Sequence, residues 1–339
     1  MKYGILMVED DSTYNHMINQ MFEDVIANKS IKVCIEKKSN NIFFDLIKNK
    51  KFRKYTNGVC DLMLTNQYLL YGYIAQISEQ YENIVVLFLN SSFLESRYPA
   101  NVLREYKKIS RITYVCLYID IVKHPCSMHA NYLRNQGVFD FVYTVDMDDA
   151  VKYNMILWPT PYSVNEKYKY IKTNKDLYFC AVTKDRLKII EALIKSAKNE
   201  SVDVDMDIVR TPFDKADLLC NYKKNITVYP PNTYMDYDYV LKKSLQAECI
   251  LEIVQNNQKA LTLRPYEAIA YNRKLLTNNK TILESPYYNS QNMQYFENVK
   301  DIDWDWVKEK KTVEYQYKNE YSPTYLIADI LERNNGAFL

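Results

Sequence analysis

The sequence predicts an α/β fold in two successive domains, and three observations predict it. Short apolar runs alternate with amphipathic stretches from Tyr3 to Ala150, a polar segment with two prolines interrupts them at Pro159 to Asn174, and the alternation then resumes. At 339 residues the chain also exceeds what one hydrophobic core ordinarily serves.

Six runs in the first half read as strands: Tyr3 to Val8, Ile31 to Ile35, Leu62 to Leu64, Ile84 to Leu89, Thr113 to Ile119 and Phe139 to Tyr143. Between them Tyr14, Met17, Ile18, Met21, Phe22 and Val25 recur at helical spacing, as do Ile42, Phe43, Leu46 and Ile47, and both stripes are packing faces. Polar groups gather just past the strand ends: Glu9-Asp10-Asp11, Thr65-Asn66, Asn90-Ser91-Ser92, Asp120 with Lys123 and His124, and Asp146. In a parallel sheet these share one rim, where α/β proteins place their sites. Each alone is also an ordinary helix cap. Asp120 and His124 are the candidates for a general base, because they follow a strand end on that rim.

The proline-marked segment around Pro159-Thr160-Pro161 marks the end of a first domain at residues 1–163. A second domain, residues 175–320, opens with a strand over Leu177 to Val182. Thr183 then stands as cap to a helix that carries Leu187, Ile190, Leu193 and Ile194 on one face. An Ile226 to Tyr229 strand, the Pro230-Pro231-Asn232 break and a helix from Asp236 to Leu245 follow. Asp303-Trp304-Asp305-Trp306 begins another helix, whose two tryptophans read either as a sugar-stacking pair or, as is commoner at this spacing, as one ring inside and one outside. A last helix runs from Ser322 to Arg333 within a C-terminal segment, 321–339.

Residues 249–282 organise the second half. Ile250 to Val254 reads as a buried strand, a polar loop follows, Leu263 to Tyr271 carry a helical pattern, and Lys274 to Thr277 form a second run. In such β-loop-α-β units an anion binds where the strand's carboxyl end meets the next helix N-terminus. Thr262 is placed to cap the helix, Pro265 falls in its first turn, and Asn272 stands where the chain leaves it in a left-handed conformation. Arg264 and Glu267, three apart, share a face. By spacing alone they are an ordinary i,i+3 ion pair. The same two residues also suit a phosphate and a pair of ribose hydroxyls.

Composition excludes several classes. A net charge of +2, from 44 basic and 42 acidic residues, gives no field to attract nucleic acid, so none is expected as a partner. The densest basic runs, Lys48 to Lys54 and Lys308 to Lys311, read as solvated surface, or as a source of weak attraction to an anionic membrane at about 1 kcal/mol per basic residue. Seven scattered cysteines, none in a C-x-x-C pair, read as reduced core residues of a cytosolic protein. The N-terminus lacks the form of a signal peptide and no apolar run reaches transmembrane length. The expected location is the cytoplasm, with peripheral contact at the inner membrane face. Only five glycines occur, none between 138 and 335, so there is neither a G-x-G-x-x-G fingerprint nor a Walker A loop. His124 and His129, five apart, match no metal spacing, and no metal is expected. Met7 to Asp11 has the look of a receiver-domain opening, but Thr65-Asn66 stand where its phosphoacceptor Asp is needed.

Asp176-Leu177-Tyr178-Phe179-Cys180 with Lys184-Asp185-Arg186-Leu187, then Cys249 to Val254, Leu261-Thr262-Leu263-Arg264-Pro265-Tyr266-Glu267-Ala268 and Lys274 to Asn279 together resemble the bacterial lipopolysaccharide and capsular polysaccharide biosynthesis glycosyltransferases. The resemblance covers most of the chain and is specific around residues 249–279. It implies a GT-B-like fold: two Rossmann-like domains facing across a cleft, with a C-terminal helix returning to the first. It also implies transfer of a sugar from a nucleotide-sugar, held by the second domain, to a glycan or lipid-linked glycan acceptor on the first, without metal or cofactor. Donor-binding residues implied are Lys184, Gln258, Thr262, Arg264 by the diphosphate and Glu267 by ribose or sugar hydroxyls. The chain departs from that family in having Gln258-Lys259-Ala260 where a loop glycine is usual. This leaves open a non-catalytic binding or partner subunit on the same scaffold.

Overall fold

The alternation of runs becomes two six-stranded sheets, every strand pair parallel, in a computed structural model that describes residues 3–9, 17, 20–27, 32–35, 62–89, 100–119, 137–212, 225–256 and 259–336. The chain divides into two units, Met1–Pro161 with Tyr321–Leu339, and Tyr162–Glu320.

Strands β1 (Tyr3–Glu9), β2 (Lys32–Ile35), β3 (Asn83–Leu89), β4 (Arg111–Tyr118), β5 (Phe141–Thr144) and β6 (Ile156–Leu157) form the first sheet in the order β2-β1-β3-β4-β5-β6. Helices α1 (Glu23–Ile26), α2 (Leu62–Ser78), α3 (Ala100–Tyr106) and α4 (Met147–Tyr153) belong to the same unit. Every residue of β3 is buried, as a parallel strand covered on both faces requires. The stripe expected over 14–25 is buried at Met21, Phe22 and Val25. Asp146 caps α4 by accepting from the Asp149 amide at 3.0 Å.

Leu62 to Leu64, expected as a strand, is instead the first turn of the 17-residue helix α2. A three-residue apolar run has no period to separate strand from helix, and here its apolar continuation through Ile77 decides for helix. β6, two residues long, carried no recognisable signal.

In the second unit β7 (Lys175–Val182), β8 (Val204–Val209), β9 (Ile226–Tyr229), β10 (Ala247–Glu252), β11 (Lys274–Thr277) and β12 (Met293–Tyr295) run β12-β11-β10-β7-β8-β9. Helices α5 (Leu187–Asn199), α6 (Tyr237–Leu245), α7 (Leu263–Ala270) and α8 (Trp304–Lys308) connect them. The β8 and β12 strands escaped the sequence reading. β8 alternates Val, Asp, Met, Asp, Ile and Val, so its acids masked a period-two pattern, and β12 has only three residues. Thr183 does not cap α5: its hydroxyl bonds the Val209 carbonyl and accepts the Thr211 amide, which ties β7 to the end of β8.

One face of this sheet, through Leu177, Phe179, Met206, Cys249 and Leu251, packs on Ile190 and Leu193 of α5 and Trp304 and Val307 of α8. Trp304 is buried and Trp306 half-buried, as two rings two apart on a helix require. Lys274, fully buried at the start of β11, donates to the carbonyls of Trp306 at 2.7 Å and Val307 at 2.9 Å and to that of Glu309, closing the C-terminus of α8.

The last helix, α9 (Pro323–Gly336), belongs to the first unit. Leu326 and Ile330 are fully buried, Asn334 accepts from Thr113 of β4 at 2.9 Å, Asp329 accepts from Tyr143 of β5 at 2.7 Å, and Ser322 bonds Asp24 at 2.6 Å. The C-terminal segment thus returns to the first domain, as the GT-B-like reading implied.

Candidate functional site

The order of the second sheet reverses between β7 and β10. The chain builds β8 and β9 on one side of β7, then crosses to build β10, β11 and β12 on the other. Helices flanking such a reversal leave the sheet on opposite faces, which opens a crevice at the carboxyl ends of the two strands. A cavity of 230 Å³ lies there, lined by Cys180 and Ala181 of β7, Glu252 of β10, Thr262 and Arg264 at the start of α7, and Arg186.

Glu252, the last residue of β10, sets the entry to α7. One carboxylate oxygen accepts from the Thr262 amide at 3.1 Å and the Thr262 hydroxyl at 2.6 Å, and the other accepts from the Thr277 hydroxyl. Burial raises its pKa, against the opposing effect of these hydrogen bonds. The Thr262 oxygen in turn accepts the Arg264 amide at 3.2 Å, the expected N-cap. Pro265 has no N–H, so of the first three amides of α7 Leu263 alone remains for a ligand. Asn279 donates to the carbonyls of Ala260 at 3.2 Å and Lys259 at 3.5 Å, and so holds the loop. Neither Lys259 nor Ala260 has a positive φ, so the loop takes its path at these two positions without a glycine. Asn272 does leave α7 in the left-handed region, at φ 54°.

The group best placed to meet an anion here is therefore the guanidinium of Arg264. Its Nη1 donates to Glu267 and, at 3.2 Å, to the Ser244 hydroxyl of α6. Its Nε and Nη2 have no acceptor among the described residues. Burial, the largest single effect, depresses its pKa, but the Glu267 carboxylate together with Cys180, Tyr237 and Tyr178 outweighs it and the net shift is upward. Arg264 is thus a fixed cation beside the cavity, with hydrogen-bond donors to spare.

Glu267 was expected to meet ribose or sugar hydroxyls. Its side chain is 0% exposed, and its oxygens are engaged by Arg264 and by the Tyr237 hydroxyl at 2.9 Å. What the structure shows it doing is anchoring Arg264. Lys184, at φ 41°, is exposed and is not among the cavity residues. Two positions further on, Arg186 is: its Nη1 donates to the Ile253 carbonyl at 2.8 Å and its Nη2 to that of Val182, which pins the ends of β7 and β10 together. The Arg186 Nε is buried without a partner among the described residues, and burial lowers the pKa of this guanidinium. Gln258, Asp120 and His124 lie outside the described residues. Among the described residues no cluster of three or more His, Cys, Asp or Glu is placed to hold a metal ion.

Sequence reasoning missed Arg186, Glu252, Ser244 and Tyr237. Glu252 had a signal, a carboxylate inside an otherwise apolar strand, which in a buried strand demands polar partners. Ser244 and Tyr237 had none, since they meet the site only through tertiary packing of α6.

No protein-family description matches the chain, and no curated protein matches it in sequence. Among solved structures, a glycosyltransferase from Rickettsia africae ESF-5 is similar over 98% of this chain and 97% of its own, with a TM-score of 0.54 at 13% identity. An alpha-glucosyltransferase, crystallised with UDP-glucose and DNA containing an abasic site, is similar over 97% and 98%, with a TM-score of 0.50 at 10% identity. A TarM variant from S. aureus, crystallised with UDP among other ligands, is similar over 78% of this chain and 58% of that one, with a TM-score of 0.50 at 11% identity. What the chain shares with these glycosyltransferases is the fold: two α/β units with parallel sheets, of GT-B type.

Proposed function

We propose that the chain is a glycosyltransferase that moves a sugar from a nucleotide-sugar to a glycan of the cell surface, in lipopolysaccharide or capsule assembly. The observation that carries this reading is the cavity at the β7/β10 reversal. There Arg264 presents two guanidinium nitrogens with no acceptor among the described residues and Leu263 a helix-terminal amide, which suits a diphosphate. Arg186 supplies a second cation at the same place. Two cations beside a helix terminus can offset the charge of a diphosphate leaving group, so transfer is expected to proceed without a metal and to persist in chelator. Thr262 holds the helix start and Glu267 holds Arg264. Asp120 and His124 remain the proposed source of any general base, and Lys184 and Gln258 the proposed flanking donor contacts. UDP-bound relatives in fold make UDP and UDP-sugars the first ligands to try.

A thermal-shift screen of nucleotide-sugars and free nucleotides tests the reading. A donor at tenfold above its Kd adds about 1.4 kcal/mol of stability. A shift with a nucleoside diphosphate or its sugar ester, lost on Arg264→Lys, supports it. No shift with any donor favours the non-catalytic subunit instead.

No helix among the described residues is long and apolar enough to cross a membrane. Work in the cytoplasm with peripheral contact at the inner membrane face is part of the proposal, and sedimentation with anionic vesicles tests it.

A further inference from the structure

Tyr237, Glu267 and Arg264 form a buried chain whose direction can be assigned. A carboxylate paired with a guanidinium only accepts hydrogen bonds, so the Tyr237 hydroxyl, 2.9 Å from Glu267 Oε1, must spend its proton there. The Tyr162 hydroxyl, 3.1 Å from that of Tyr237, must then be the donor of the second bond. Tyr162 is 2% exposed and Tyr237 6%, and the Tyr162 ring meets Tyr271 edge-on at 6.4 Å, so neither hydroxyl has water as an easy alternative.

Glu267 makes one bond to Arg264, through Oε2 and Nη1. Arg–carboxylate pairs commonly close a second, parallel bond; here Oε1 is instead turned to the Tyr237 hydroxyl. We propose that Tyr237 is a positioning residue for the anion site: by holding Oε1 of Glu267 turned toward its own hydroxyl it orients the carboxylate for a single bond with Arg264, and so keeps Nε and Nη2 of the guanidinium available to a diphosphate. Without the hydroxyl, a buried carboxylate oxygen is left without a donor, and the guanidinium already bonded to the other oxygen is the group that can supply one. The guanidinium then turns into the bidentate pair and withdraws a donor from the cavity. The inference rests on the reading of the cavity as a diphosphate site.

Calorimetric titration of the full chain with UDP and with inorganic pyrophosphate tests it. Tyr237→Phe is expected to weaken both about tenfold with an unchanged circular dichroism spectrum. Tyr162→Phe, which leaves the Tyr237–Glu267 bond in place, stays within about twofold of wild type. In a Glu267→Gln background the amide has only one acceptor oxygen and cannot form the bidentate pair, so adding Tyr237→Phe there changes affinity less than about twofold. That comparison also decides the matter if the single variant fails to fold. Wild-type affinity in Tyr237→Phe, an equal loss in Tyr162→Phe, or a tenfold effect that persists beside Glu267→Gln overturns the inference alone. A wild-type chain that binds neither probe overturns the diphosphate site, and this inference with it.

Discussion

Arg264 and Glu267 are three residues apart on one helix, and spacing alone makes them an unremarkable surface pair worth about 0.2 to 0.5 kcal/mol. Burial changes what they are. With Glu267 inaccessible, Arg264→Ala strands a carboxylate in the interior without its countercharge, at a cost of about 3 to 5 kcal/mol, and confounds a binding defect with an unstable fold. Arg264→Lys keeps the charge but loses the planar fork, and is expected to lower nucleotide affinity at least tenfold with a melting temperature within a few degrees of wild type, read by calorimetry and thermal denaturation side by side. Glu252 makes a second residue-scale prediction. Its pKa is raised by burial, so the folded state holds that proton to higher pH than the unfolded chain does. Its contribution to stability is therefore most favourable below the ordinary carboxylate range and declines as pH rises through its folded value. Glu252→Gln removes this titration, so the stability difference between wild type and variant should move against wild type from pH 4 to pH 7, as read from denaturant midpoints. A flat difference counts against a raised pKa. At this scale the sequence showed Thr262 and Arg264 clearly, because a cap and a basic first-turn residue announce themselves locally. The partners Tyr237, Ser244 and Glu252 became visible only when α6 and β10 were brought against α7.

Elements fold where local pattern and tertiary cover agree, and two contacts between elements can be tested directly. Gly4 of β1 lies against α2 so closely that an added methyl would overlap Ile77 and press Tyr81 at 3.2 Å. Since Ile77 is itself buried and branched at Cβ, Gly4→Ala should cost about 1 to 3 kcal/mol of unfolding free energy in denaturant titration. Lys274 satisfies the last carbonyls of α8, so Lys274→Met, similar in length but without donors, should cost about 3 kcal/mol by the same measurement. Most strands were legible because β-branched and aliphatic runs are hard to place elsewhere. β8 was not, because Asp205 and Asp207 look like surface residues until Lys243 is seen between them at 2.9 Å from each, with Tyr178 bonded to Asp207 at 2.8 Å. Leu62 to Leu64 misled for the converse reason: apolar residues in a row fit the start of a long helix as readily as a buried strand.

For the whole molecule, two wholly parallel sheets, each with a point at which strand order reverses, define where ligands can bind before any side chain is considered. In the second sheet that point is the β7/β10 pair, and the loop singled out from the sequence emerges at it. The alternation and the proline-marked break made the α/β class legible. The reversal itself was not, since strand order depends on which runs pair across the chain. The central claim is that this crevice holds the diphosphate of a nucleotide-sugar. Hydrogen exchange of the full chain with and without saturating UDP or UDP-glucose tests it most directly. The account predicts slowed exchange over residues 249–270, centred on the start of α7, and loss of that protection in Arg264→Lys. Unchanged exchange there, with protection confined to the first unit, would contradict it.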